Sequence, residues 1–271
     1  MTATVTGLPS VRAAAERLAI AASTGVPTAP VRGLIGPDDV VLAYAVQSIG
    51  NGHRLDAGAR IVGRKIGLTS PAVQRQLGVN QPDFGVLFHD MHVTDTPVAH
   101  RPRLLQPKVE AEVAFVLGAD LDVGQLDAIS VRGAVDYAVA ALEIVDSRIA
   151  DWNISFADTV ADNASSGWFV LGTDKLSLDD FEPREVGMTM AIDGDVVSTG
   201  SGSACLGDPL NALAWLARTA RDLGDPLRAG EIVLSGALGP MAPLRPGIRV
   251  HSEIFSSTKT LGTVDFTLEE T

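Results

Sequence analysis

Val109-Glu110-Ala111-Glu112-Val113-Ala114-Phe115 alternates apolar and other side chains with a period of two. On a β-strand that period sends Glu110 and Glu112 to one face and Val109, Ala111 and Val113 to the other. Two carboxylates side by side repel unless hydrogen-bond donors or a cation neutralise them, and hard oxygen ligands of this kind suit Mg2+ or Mn2+. The plainer alternative is an amphipathic strand with both glutamates in water. A third acid bears on the choice. Glu143 interrupts the apolar segment Ala138-Val139-Ala140-Ala141-Leu142-Glu143-Ile144-Val145, where a lone buried charge is costly, and a shared metal would give it a partner.

Outward from this strand, short β-rich runs recur at Ile61-Val62, Lys65 to Leu68, Leu142 to Val145, Trp168 to Leu171, Met188 to Ile192, Glu231 to Leu234 and Gly262 to Leu268. The core is therefore expected to be mostly sheet. Before Arg60 the pattern is helical. Ser10 is a candidate cap for a helix to about Ser23, and Gly36-Pro37-Asp38-Asp39 opens a second one ending near Gly50-Asn51-Gly52. Ser70-Pro71 opens a short helix closed by Gly78, and Asp208-Pro209 opens a late one that carries Leu210, Leu213, Leu216 and Ala217 and stops at Gly224. With no internal repeat and no linker rich in Pro, Gly or Ser, the expectation is a helical N-terminal region (1–58) and a β-rich region (59–271) forming one continuous unit.

The chain has 271 residues, of which 46% are hydrophobic, enough to bury a sizeable core. Its net charge of −12 repels a polyanion, so nucleic acid is excluded as a partner. No apolar run is long enough to suggest a membrane span or a secretory signal. The single cysteine, Cys205, is read as a small buried hydrophobe in a protein of the reducing cytoplasm.

Among further candidates, Lys65 in Gly63-Arg64-Lys65-Ile66-Gly67-Leu68-Thr69-Ser70 sits in an apolar, strand-like context. A buried lysine of this kind can have a lowered pKa and exchange protons, whereas a surface lysine would merely snorkel. Gln81-Pro82-Asp83-Phe84-Gly85 reads as a turn, with Asp83 either a turn former or a reactive carboxylate. The polar stretch from Asp158 to Gly167 offers hydroxyl, amide and backbone donors for a substrate carboxylate, or is a plain loop. Gly200-Ser201-Gly202-Ser203 lacks the spacing of a dinucleotide fingerprint. The five histidines lack metal-ligand spacing, and there is no Gly-x-Ser-x-Gly elbow.

Taken in order, Gly63 to Thr69, Gln81 to Gly85, Glu110-Ala111-Glu112, Leu142-Glu143-Ile144-Val145-Asp146-Ser147-Arg148, Ala161-Asp162-Asn163-Ala164-Ser165 and Gly236-Ala237-Leu238-Gly239-Pro240 resemble the 2-keto-4-pentenoate hydratases of the fumarylacetoacetate hydrolase superfamily. The resemblance runs from about Arg60 to the C-terminus and is loosest from His251 onward. It implies an α+β fold, a mixed β-sheet roll or barrel of the fumarylacetoacetate hydrolase C-terminal type with a helical N-terminal region. It also implies that Glu110, Glu112 and Glu143 bind one Mg2+ or Mn2+, that Lys65 and Asp83 handle protons, and that Ser165, with Ser166 beside it, holds the substrate.

The implied reaction is addition of water to a small 2-hydroxydienoate in meta-cleavage aromatic catabolism, by a homo-oligomer. A decarboxylase of 2-oxo-3-hexenedioate is the main rival. It is disfavoured by Arg64 and Asp83, where decarboxylases tend to carry Leu and a hydrophobic residue. An acylpyruvate hydrolase would call for a His-x-x-Glu pair near the N-terminal helices, and none is present. A non-catalytic partner of a decarboxylase has no need to gather buried charges.

Overall fold

In the computed structural model, residues 3–71, 74–75, 79–94, 96, 100–256 and 260–269 are described. The expected N-terminal helices form as α1 (Ala3–Thr6), α2 (Pro9–Thr24), α3 (Arg32–Ile35) and α4 (Val40–Asp56). Ser10 does not cap α2. Pro9 takes the first turn, where its missing N–H costs nothing, so Ser10 lies inside the helix. Asp39 caps α4 by accepting from the Leu42 N–H at 3.0 Å. That helix runs past Gly50 and Gly52 to Asp56, and Arg54 in its last turn pairs with Asp90 at 2.6 Å. The expected helix closed by Gly78 falls mainly on residues outside those described.

The expected strands appear as β1 (Ile61–Gly67), β3 (Lys108–Leu117), β4 (Val135–Val145), β5 (Ser166–Leu171), β6 (Gly187–Ile192), β8 (Ile232–Leu234) and β11 (Thr260–Thr267). Others form as well: β2 (Asp83–Phe88), β7 (Asp195–Ser201), β9 (Ala242–Pro243) and β10 (Arg249–Phe255). The turn read at Gln81 to Gly85 is therefore corrected. Pro82 and Gly85 punctuate it locally, but β2 pairs antiparallel with β1 from Phe88 to Asp83, and pairing outweighs the turn chemistry. Later helices are α5 (Ala128–Arg132), α6 (Phe156–Ala161) and α7 (Pro209–Asp222). Asp208 caps α7 as expected, accepting from Leu210 N–H at 2.9 Å. The stretch from Asp158 is not a plain loop, since its first residues belong to α6.

The larger sheet is mixed, in the order β2-β1-β8-β3-β4-β5 with β9 beside β3, and among these described strands only the β1–β8 pair is parallel. It curls far enough for Val93, just beyond β2, to donate to Phe169 of β5 at 2.9 Å. The smaller sheet, β11-β10-β6-β7, covers part of its outer face. The architecture is thus the expected α+β half-barrel with helices.

The alternation on β3 decides where everything goes. Val109, Ala111, Val113 and Phe115 enter the main core with α2, α4, α7 and the smaller sheet, while Ala114 joins a second apolar cluster with Val139, Ala141, Phe169 and Leu234. Both faces of β3 are buried, so the glutamates that share the Ala114 face are not in water.

Candidate active site

Register builds the site. Glu110 on β3 and Glu143 on β4 are direct cross-strand partners, and Glu112 comes two residues on along the same face. Like charges directly opposite on antiparallel strands are destabilising. Here all three are buried as well, with Glu112 fully enclosed. One carboxylate oxygen from each lies within 4.8 Å of the other two. Glu112 accepts one hydrogen bond, from the Gly236 N–H at 2.7 Å, and that glycine is required. Its φ is +111° and a Cβ there would come within 2.5 Å of Thr69.

The second half of the site comes from β1 and β2. Gly67 stands opposite Asp83, which puts Lys65 and Asp83 on one face, and a Cβ at Gly67 would lie 2.2 Å from Asp83 Oδ1. Lys65 Nζ reaches across to Glu143 Oε1 at 3.1 Å. Burial alone would pull this ammonium's pKa down, but Glu143, Asp83, Glu110 and Glu112 together hold it above its ordinary value. The lowered pKa expected for Lys65 is therefore corrected: four surrounding carboxylates outweigh desolvation.

Burial pushes the carboxyls the other way. Asp83 is raised, chiefly by desolvation, against the pull of Lys65. Glu110 is pushed up to about 7 by burial and then by Glu143, and Glu112 is raised well above its usual range for the same two reasons. Four carboxylates face the Lys65 ammonium, with Lys108 acting only on Glu110, an imbalance that the protein itself does not neutralise. Glu112 Oε1, Glu143 Oε2 and Asp83 Oδ1 are all buried without a hydrogen-bond partner. Unsatisfied buried oxygens cost about 1–3 kcal/mol each. Three convergent carboxylates with spare lone pairs are the donor set a hard divalent cation requires, so the residues fit such an ion.

Thr159 of α6 links the remaining parts. Its hydroxyl donates to Asp83 Oδ2 at 3.3 Å and lies 3.4 Å from Ser165 Oγ. Ser165 belongs to a three-residue turn, Asn163-Ala164-Ser165, in which every φ is between +51° and +54°. The turn is fastened on both sides. The Asn163 side chain brackets Val86 of β2, accepting from its N–H at 2.8 Å and donating to its carbonyl at 2.9 Å, and Arg148 pairs with Asp162 just before it. The sequence motifs ending in Arg148 and beginning at Ala161 thus supply the two halves of one clamp, Arg148 and Asp162.

Lys65, Asp83, Glu110 and Ser165 line a single cavity of about 430 Å³. Ser166 does not line it. That hydroxyl donates to Asn163 O at 2.7 Å and lies on the far side of the turn, against a separate cavity beneath α2 and α4. Arg64 also points away, by strand alternation, pairing with Asp225 at 2.6 Å. Cys205 is buried as expected, its thiol donating to Ser235 O at 2.9 Å. Thr159 falls in the polar stretch from Asp158 to Gly167 that the sequence offers as a source of hydroxyl donors, but nothing local marks it as the partner of Asp83.

Residues 61–269 match the family model described as fumarylacetoacetate (FAA) hydrolase C-terminal. The chain belongs to that family. Over 234 residues it is 57% identical to a 2-keto-4-pentenoate hydratase of Paraburkholderia xenovorans (strain LB400), covering 86% of this chain and 87% of the relative. It is 44% identical over 198 residues to a 2-hydroxyhexa-2,4-dienoate hydratase of Comamonas testosteroni, covering 71% and 74%. Among solved structures it superposes on 4-oxalocrotonate decarboxylase from Pseudomonas putida G7, complexed with magnesium and adipate. The TM-score is 0.85 and the identity 30%, over 95% of this chain and 96% of that one.

Proposed function

We propose that this protein is a metal-dependent hydro-lyase that adds water to 2-hydroxypenta-2,4-dienoate or a close analogue, giving a 4-hydroxy-2-oxo acid in meta-cleavage aromatic catabolism. The observation that carries the reading is the buried cluster of Glu110, Glu112 and Glu143 around Lys65, which opens through Lys65, Asp83 and Glu110 onto one pocket, in a chain more than half identical to a 2-keto-4-pentenoate hydratase. Mg2+ or Mn2+ is the expected ion, held by the three glutamates. When bound, it supplies Lewis acidity at the substrate's carboxylate and 2-oxygen.

The remaining work falls to the protein's own side chains. Hydration needs a proton moved from the 2-hydroxyl to the far carbon of the conjugated system, then water added across the double bond that results. Lys65, held as an ammonium by its carboxylate neighbours, offsets negative charge that builds on the substrate. Asp83, enclosed and with its pKa raised, takes up and returns a proton, and Thr159 fixes its orientation. Ser165 offers its hydroxyl to the substrate from the strained turn. Residues 1–58 and 59–271 act as one unit, since the helices and the sheet share one core. A cytoplasmic homo-oligomer completes the reading.

The likeness to a decarboxylase keeps a second reaction in view, release of CO2 from a related 2-oxo dicarboxylate. One experiment separates the two: loss of dienol ultraviolet absorbance with and without Mg2+ or Mn2+, run beside a CO2 assay. Metal-dependent loss without CO2 is the expected result. CO2 release would replace hydratase by decarboxylase, and metal-independent turnover would remove the triad from the mechanism.

A further inference from the structure

Lys108 opens β3 two residues before Glu110 and so projects on the face that carries the glutamates. Its ammonium lies 4.2 Å above the centre of the Trp152 ring. These two residues line the pocket of Lys65, Asp83 and Glu110, and they also line a neighbouring cavity of about 780 Å³ bounded by Leu104, Trp168, Leu244 and Leu268. The stacked pair is therefore the partition between the two spaces.

Trp152 is held there against its own backbone preference. Asp151 and Trp152 have φ of +57° and +54°, a region that costs a non-glycine residue about 1–3 kcal/mol and in which a bulky aromatic is an outlier. Gln106 fixes the conformation from three sides. Its side-chain amide donates to the carbonyls of Ser147 and Ile149, each at 2.9 Å, and its side-chain oxygen accepts from Asp151 N–H at 2.9 Å. Its backbone carbonyl accepts from the Trp152 indole at 3.0 Å. Such strain persists only where the surroundings over-determine it, and packing of the apolar core does not call for it, because Trp152 is half-exposed at the pocket wall.

Lys65, Asp83, Glu110, Thr159 and Ser165 give the pocket one polar, charged side suited to the head of a 2-oxo acid. The side that includes Trp152 also presents Ile154, Leu68 and Met241, an apolar surface for the tail, with Asn153 and Ser70 among them. We propose that the Lys108–Trp152 pair is the wall that limits tail length, so that the enzyme prefers short, uncharged tails and excludes long alkyl or aryl ones from the outer cavity. The inference rests on the hydratase reading for its substrate class. Lys108 acts as a positioning residue, pinning the ring by a cation–π contact whose strength depends on how far the ammonium is desolvated.

The test measures dissociation constants of two unreactive saturated acids, 2-oxopentanoate and 2-oxooctanoate, by calorimetry with Mg2+ present, together with kcat/KM for dienoates of matching length. Trp152→Gly removes the ring and suits the left-handed backbone. It should shift the ratio of the two dissociation constants about tenfold or more toward the longer acid, the scale on which an apolar pocket discriminates added methylenes. Lys108→Met, which keeps the stem but frees the ring, should move it the same way by about two- to fivefold. Trp152→Phe, with a smaller ring in place, should fall between wild type and glycine, and it decides the matter if the glycine variant does not fold.

A wild-type ratio in Trp152→Gly or Trp152→Phe, with Mg2+ affinity intact, would overturn the proposal. The binding ratio is read without turnover. Failure of the wild-type enzyme to hydrate any dienoate would thus count against the hydratase reading alone.

Discussion

Two buried charge clusters meet at β4 and the residues just after it, and they are built on opposite terms. In the clamp, Asp146 accepts from the N–H groups of Leu105 and Gln106, and Asp162 accepts from Arg148 and from Ser147 Oγ. Its acids are supplied with donors. In the pocket, four carboxylates surround the Lys65 ammonium, and four of their oxygens are buried without a hydrogen bond, of which only Glu143 Oε1 has an ion-pair partner, in Lys65. A satisfied cluster fixes the chain, whereas an unsatisfied one waits for a ligand, which is why the second is the site and the first its support.

Removing one acid from each cluster puts this contrast under the greatest stress. Glu110→Ala or Glu143→Ala should abolish metal-dependent turnover, a loss of about 10³-fold or more on the scale of several kcal/mol that metal polarisation supplies, with an unchanged far-ultraviolet spectrum. Asp162→Ala should do the reverse in kind. Arg148, mostly enclosed, loses its carboxylate partner but keeps the carbonyls of Ser166 and Asp162, at a cost of about 1–3 kcal/mol, read as a lower denaturation midpoint. Full activity in either glutamate variant, or undiminished stability in Asp162→Ala, would erase the distinction.

Smaller in effect, Asp83→Asn keeps the shape and the Thr159 contact but cannot carry a proton. It should lower kcat by about 10²–10⁴-fold while leaving cation affinity, measured by calorimetry, near wild type. A decrease in cation affinity instead would make Asp83 part of the ion's surroundings.

The pH dependence has a definite sign. Burial raises the folded-state pKa of Glu110 from 4.5 to about 7, so its neutral form is favoured on folding. That contribution is fully present below pH 4.5 and is lost as the pH rises through about 7. With chelator present, the wild-type melting temperature should therefore fall relative to Glu110→Gln between about pH 4.5 and pH 7 and level off above that. Added Mg2+ should cancel the difference by neutralising the carboxylate. Thr159→Val, which removes two long hydrogen bonds, should cost least, about 1 kcal/mol or fivefold in kcat.

These contrasts also mark what local sequence could convey. The β3 alternation and the lone acid in β4 were legible because period-two patterning and a charge in an apolar run are local signals. Strand β2 was not legible, since Pro82 and Gly85 imitate a turn and only pairing with β1 makes a strand of them. The upward direction of the Lys65 shift is hidden from the sequence for a related reason. Burial was foreseeable, but the four carboxylates around it come from three other strands. Lys108 and Trp152 carry no signal, and Thr159 only that of the polar stretch it belongs to, because each is an ordinary residue until a distant segment is folded against it.

Patterning along the chain was enough to assign the faces, because side-chain alternation on a strand and the period of a helix follow from backbone geometry alone. It therefore set Glu110 beside Glu112 and placed Leu210, Leu213 and Leu216 on one stripe of α7. It took the folded molecule to stand Glu143 opposite Glu110, to leave room for Asp83 at Gly67, and to wall off the pocket with a strained tryptophan. Register, close approach and burial are properties of pairs of segments far apart in the chain, and no single segment encodes them.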